Sequence, residues 1–163
     1  MRTTTTGTFC MFMILVSFFN FSDAYAQSCN SELKVSKNRD SRSASVNDPT
    51  QFQLELTNNT SSVQSYQIEV IRYEGAFMVD GKAPNLLSSN ASLDTSVYYN
   101  NVQNNTITVP AASKVVFLTS VSVPSGTPVN RWGGLEVKAI NSACPDGLVS
   151  TLLKLYVTDS SEE

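Results

Sequence analysis

Five stretches of the chain alternate apolar and polar side chains with a period of two. In QFQLELT (51–57), Phe52, Leu54 and Leu56 point one way while Gln51, Gln53 and Glu55 point the other. YQIEVIR (66–72) sets Tyr66, Ile68 and Val70 against Gln67, Glu69 and Ile71. KVVFLTSVSV (114–123) gathers Val115, Phe117, Val121 and Val123 on one side. LEVKAI (135–140) does the same with Leu135, Val137 and Ala139, and LVSTLLKLYV (148–157) with Val149, Leu153, Leu155 and Val157. Successive side chains of an extended strand point to opposite faces, so each stretch predicts a strand with one buried and one solvated side. Strands of that kind belong to antiparallel sheets packed on one face. Shorter candidates are LKVS (33–36), SASV (43–46) and TITV (106–109), and no helical periodicity competes with them.

The separators are turn formers. Asn58-Asn59-Thr60 predicts a hairpin turn between two long strands, Pro110-Ala111-Ala112 breaks TITV from the next, and Pro145-Asp146-Gly147 precedes the last. Short strands punctuated this regularly predict a sandwich of two antiparallel sheets, with a closed barrel as the alternative. Residues 73–104 fit least well: they are rich in Asn and aromatic residues and show only an edge strand around Val97 to Tyr99 and a turn at Asp80-Gly81. A structureless loop of that length is uncommon inside a compact domain unless it carries function.

The N-terminus reads as a targeting segment. Arg2 precedes a largely apolar run from Phe9 to Phe21, and Ala24-Tyr25-Ala26 supplies the small-x-small pattern of a cleavage site. The run is shorter than the roughly 20 residues of a membrane span, and no second run of that length follows. We therefore expect a signal peptide over 1–26, one domain over 27–157 and an acidic tail over 158–163, with no transmembrane segment in the mature chain. The expected location is secreted, periplasmic or at the cell surface. Cleavage leaves two cysteines, Cys29 and Cys144, which in an exported chain predict a disulfide closing a loop of about 115 residues. A lipidated Cys29 is the competing reading, but Ala26-Gln27-Ser28 lacks the Leu three positions before the Cys that a lipobox usually has.

The stretch TVPAASKVVFLTSVSVPSGTP (108–128), with the corner Val123-Pro124-Ser125-Gly126-Thr127-Pro128 and the turn region Leu56-Thr57-Asn58-Asn59, resembles NEW3-like and fibronectin type III-like modules of bacterial exported proteins. The resemblance spans roughly residues 43–157; where that family's turn usually carries glycine, this chain has Ala112. It implies an all-β, immunoglobulin-like sandwich of about seven to eight strands, used as an accessory, adhesive or structural module.

Composition narrows function further. The chain has no histidine, which removes Ser-His-Asp and Cys-His catalysis and most zinc sites. Glu69, Glu74, Asp80 and Asp94 are the carboxylates a glycosidase pair would draw on, yet no motif couples them. No calcium loop of the Asp-x-Asp-x-Asp-Gly type occurs, so neither metal nor cofactor is assigned. A net charge of −3 without a Lys/Arg run speaks against nucleic acid. Beyond the expected signal peptide, Asn-x-Ser/Thr sequons begin at Asn58, Asn59, Asn90 and Asn104 and predict surface positions.

Aromatic side chains are the remaining route to binding. Trp132, with Tyr73, Phe77, Tyr98 and Tyr99, would offer stacking surfaces to a protein or polysaccharide partner at the cell surface. Trp132 sits beside Gly133-Gly134, where its ring would either fold over the sheet end as a plug or stand out as a platform. Large aromatics are mostly buried, which favours the plug. The functional expectation is a non-enzymatic binding, adhesive or surface-structural module. A pilus- or fibre-type assembly subunit joined by strand donation is the alternative.

Overall fold

The computed structural model describes residues 29–81, 93–144 and 147–159. The expected signal peptide and its cleavage site, the Asn90 sequon, Pro145-Asp146 and residues 160–163 of the tail lie outside these ranges. Ten strands form two five-stranded sheets. They are β1 (Ser31–Val35), β2 (Ser41–Ala44), β3 (Thr50–Asn58), β4 (Gln64–Tyr73), β5 (Asp94–Tyr99), β6 (Val102–Gln103), β7 (Thr106–Val109), β8 (Ser113–Ser122), β9 (Arg131–Ile140) and β10 (Val149–Val157). The first sheet runs β1-β3-β8-β5-β6 and the second β2-β10-β9-β4-β7. This places β8 and β9 at the centres of opposite sheets.

The alternation read from sequence decides which side chains meet between the sheets. Phe52, Leu54 and Leu56 of β3 and Phe117 and Val121 of β8 are buried there, facing Tyr66 and Ile68 of β4, Leu135, Val137 and Ala139 of β9 and Leu153, Leu155 and Val157 of β10. Each fully buried aliphatic or aromatic side chain contributes about 1.5–3 kcal/mol relative to exposure. Thr119 of β8 is wholly buried beside them, and its Oγ1 has no hydrogen-bond partner among the described residues.

Four local expectations are corrected. The N-terminal stretch forms two strands in two sheets: β1 pairs antiparallel with β3, and β2 pairs parallel with β10. The switch is made by Lys37 (φ 58°) and Asn38 (φ 53°), both left-handed. Both strands were expected, near LKVS and SASV; what is new is one parallel pair in otherwise antiparallel sheets, and ten strands stand where about seven to eight were expected. The Asn58-Asn59-Thr60 turn is an arch between sheets, because β3 pairs with β1 and β8 while β4 pairs with β9 and β7. Val97–Tyr99 is not an edge, since β5 lies between β8 and the two-residue β6. A tight turn at Asn100 (φ 51°) and Asn101 (φ 63°) makes that last pairing, a conformation Asn tolerates well. Asn58, finally, is no surface sequon: it is fully buried, whereas Asn59 and Asn104 are exposed.

The burial of Asn58 has a structural cause. Its amide nitrogen donates to the carbonyls of Ser62 (2.8 Å), Pro110 (3.0 Å) and Val109 (3.2 Å). Its oxygen accepts from the Thr60 amide (3.0 Å) and hydroxyl (2.7 Å). Gln64 extends this network, donating to Thr60 and Ser62 and accepting from the buried Asn141 amide at 2.7 Å. One polar cluster thus ties three interstrand connections together at one end of the sandwich. Ala112 sits in the same region with φ 47°, the left-handed geometry that explains glycine at this turn in the resembled modules.

Cys29 and Cys144 form the expected disulfide, with a Cα–Cα distance of 5.7 Å. It fastens the segment before β1 to the β9–β10 connection, where Asn141 accepts the Cys144 amide hydrogen bond at 3.0 Å. Disulfides of this kind form in oxidising, extracytoplasmic compartments.

Candidate binding surface

Trp132 is neither in a loop nor in the core. It is the second residue of β9, directly opposite Tyr156 of β10, and both rings are half-buried on the outer face of the second sheet. The parity of β9 dictates this: Leu135, Val137 and Ala139 point inward, so Trp132, Gly134, Glu136 and Lys138 point outward. The ring centroids of Trp132 and Tyr156 are 5.2 Å apart with planes inclined at 46°, a favourable tilted pair. The Tyr156 hydroxyl donates to Asn130 Oδ1 at 3.2 Å, which fixes the phenol at the end of the sheet.

Gly134 lies one same-face position beyond Trp132, opposite Tyr73 of β4. The segment after β4 folds back here and sets Phe77, 8% exposed, onto the glycine. A Cβ on Gly134 would come within 3.1 Å of the Phe77 ring and 3.2 Å of the Tyr73 Cβ. The glycine leaves room for this close approach, and the ring packs on Tyr73 at a centroid distance of 6.5 Å. Ile71, 40% exposed, and the half-buried Leu152 flank Glu136 in the next row of the same face.

Two lysines of this face are paired locally. Lys138 pairs with Glu136 at 3.4 Å, and Lys154 pairs with Asp40 at 2.7 Å. Trp132, Tyr156 and Tyr73 are partly buried on this face, beside the more exposed Ile71.

The structure brings Trp132, Tyr73 and Phe77 to one face and places Tyr98 and Tyr99 in the opposite sheet. Tyr98 points outward on the first sheet beside Val116 and Leu118, and Tyr99 packs partly buried against the core. Phe77 lies on the outer side of Gly134, between Trp132 and Tyr73, and its ring is buried there. Tyr156 was missed from sequence, although LKLYV showed it: an aromatic at the polar phase of an alternating strand is an outward aromatic. The carboxylates also part company. Glu69 faces outward on β4, across from Lys138, while Asp94 opens β5 in the other sheet. Among the described residues no group of three or more Cys, Asp or Glu side chains is arranged to hold a metal ion, and no helix is long and apolar enough to cross a membrane.

No family model matches the chain, and no curated protein does either. Solved structures show similarity in the sandwich. A FixG-related protein from Vibrio parahaemolyticus aligns at 12% identity and TM-score 0.49, over 78% of this chain and 94% of that one. A PapD-like domain of human CEP192 aligns at 10% identity and TM-score 0.43, over 78% and 84%. The periplasmic chaperone SfaE aligns at 15% identity and TM-score 0.43, over 80% of this chain but 57% of the chaperone. Likenesses of this size carry no functional argument, and the immunoglobulin-like assignment rests on strand order and core parity.

Proposed function

We propose that this protein is a non-enzymatic, exported immunoglobulin-like module that binds a partner at the cell surface through the outer face of its second sheet. The observation that carries this reading is the Trp132–Tyr156 pair, two large rings partly exposed on the outer face of a strand pair whose inner face lines the core. Aromatic residues with polar tips are the residues that interfaces favour, because one side chain supplies apolar area and a hydrogen-bonding end. Cys29–Cys144 and the preceding targeting pattern support export. The NEW3-like or fibronectin type III-like identity belongs to this proposal, drawn from the corner at 123–128. The alternative, an assembly subunit, would need a donor segment other than residues 31–44, since β1 and β2 are already paired with β3 and β10 of their own chain.

The test is retention of the labelled protein on whole cells and extracellular polymer of the organism that makes it. Loss of retention in Trp132→Ala and Tyr156→Ala, with folding intact, supports the proposal. Full retention in both variants removes this face from function.

A further inference from the structure

We propose that the open edge of β4 takes an extended peptide of a partner protein as an added strand, with an acidic side chain set against Arg72. This site lies apart from the Trp132–Tyr156 pair and does not depend on it.

The edge is made by the way the chain crosses between sheets. β7 pairs antiparallel with β4 from Gln64 to Gln67, and the Ile68 amide donates to the Asn105 carbonyl at 2.7 Å. Just before that point the chain belongs to the other sheet. The Asn104 amide donates to the Val97 carbonyl of β5 at 3.0 Å, and β6 pairs with Tyr98 and Tyr99. The crossover therefore reaches β4 only at Asn105, while β4 runs on to Tyr73, held on its other side by β9. In an antiparallel strand the N–H and C=O of one residue point to the same side, and the side alternates along the strand. The bond at Ile68 sets the phase: the backbone groups of Val70 and Arg72 point to the open side, and neither has a partner there among the described residues.

Such an edge is chemically specific. Its donors and acceptors recur at the strand repeat, and another extended polypeptide presents their complement. Beside it a cleft opens between the sheets, lined by Ile68 and Val70 of β4, Thr95 and Val97 of β5, and Gln103 and Asn105 of the crossover. Alternate side chains of an added strand would enter this cleft. The buried Ile68 and Val97 and the half-buried Val70 favour apolar ones there.

Arg72 selects the occupant. It continues the inward phase of Tyr66, Ile68 and Val70, is exposed, and forms no ion pair among the described residues. A charge at the inward phase of an edge strand discourages indiscriminate pairing. An added strand with Asp or Glu opposite it converts the same charge into a cross-strand ion pair. A second copy of this chain fits poorly. Two β4 edges joined antiparallel through Val70 and Arg72 would bring both Arg72 side chains opposite or diagonal to each other on one face, a like-charge arrangement.

The probe is the heptapeptide TVTETVT, which reads the same in both directions and places two valines and one glutamate on one face. TVTKTVT is its charge-reversed counterpart. We would titrate the isotope-labelled, natively exported protein with each and follow amide exchange by NMR. Saturating TVTETVT should slow exchange at Val70 and Arg72 by about tenfold. TVTKTVT should bind about fivefold more weakly, and Arg72→Glu should reverse that preference. Trp132→Ala should bind TVTETVT as the parent does, so failure of this proposal and failure of the outer-face reading are separable. No change at the two amides would overturn the proposal, as would equal binding of the two peptides. Protection of both amides in the free monomer would mean that the chain covers its own edge, and the proposal falls. Protection that grows with protein concentration alone would make a second copy the occupant and overturn it too.

Discussion

At the scale of single residues, two buried polar groups play opposite parts. Asn58 uses both ends of its amide to hold the β3–β4 arch against the β7–β8 turn. Asn58→Ala strands several backbone groups in a buried setting, each a costly loss, and should lower unfolding free energy by about 2–4 kcal/mol in a denaturant titration. Thr119 gains nothing from its hydroxyl. Thr119→Val has nearly the same shape and should raise stability by about 1 kcal/mol in the same experiment. Neither role was legible in sequence. Asn58 read as a turn former and a sequon because its local chemistry is that of a loop; only the crossing of the chain between sheets buries it. Left-handed Lys37 and Asn38 were hidden for a similar reason, since nothing in KNR distinguishes a sheet-switching kink from a solvated turn.

Elements were the most legible level. The long strands and TITV were visible because a period of two leaves little choice when one face must be buried. The start of β9 was not, since Gly133-Gly134 interrupts the alternation and reads as a loop. That interruption concealed the phase of Trp132, and so the plug was preferred to the outer face. The glycine is in fact a seat for Phe77. Gly134→Val should force the ring off the sheet at a cost of about 1–3 kcal/mol, seen as faster proteolysis and faster amide exchange over residues 74–81. Gly126 has open space around its Cβ position, so a steric penalty of this kind belongs to Gly134 and not to glycines in general.

For the whole molecule, the disulfide joins the two stretches that pattern reading treated separately, the segment before β1 and the β9–β10 connection. It spans 115 residues, and in the chain-entropy account such a cross-link stabilises by about 5 kcal/mol. Reduction should therefore lower the thermal midpoint by about 10–20 °C, at about 2–4 °C per kcal/mol for a domain approaching 150 residues, and reoxidation should restore it. The sheets themselves are fixed by the alternating core, so reduced protein should keep its β-sheet circular dichroism below the lowered midpoint. The pairing was readable from the two mature cysteines. The binding face was only half readable, because it needs β4, β9 and β10 side by side, an order no local pattern encodes.

The central claim is that Trp132 belongs to a surface laid over a finished core. Its most direct test is the unfolding free energy of Trp132→Ala measured beside Phe52→Ala. Phe52 is fully buried, and its truncation should cost about 3–5 kcal/mol. Trp132→Ala should cost no more than about 1–2 kcal/mol, the loss of one tilted aromatic contact and partial burial. Equal costs at the two positions would show that the tryptophan is part of the core, and the outer face of the second sheet would lose its claim as a binding surface.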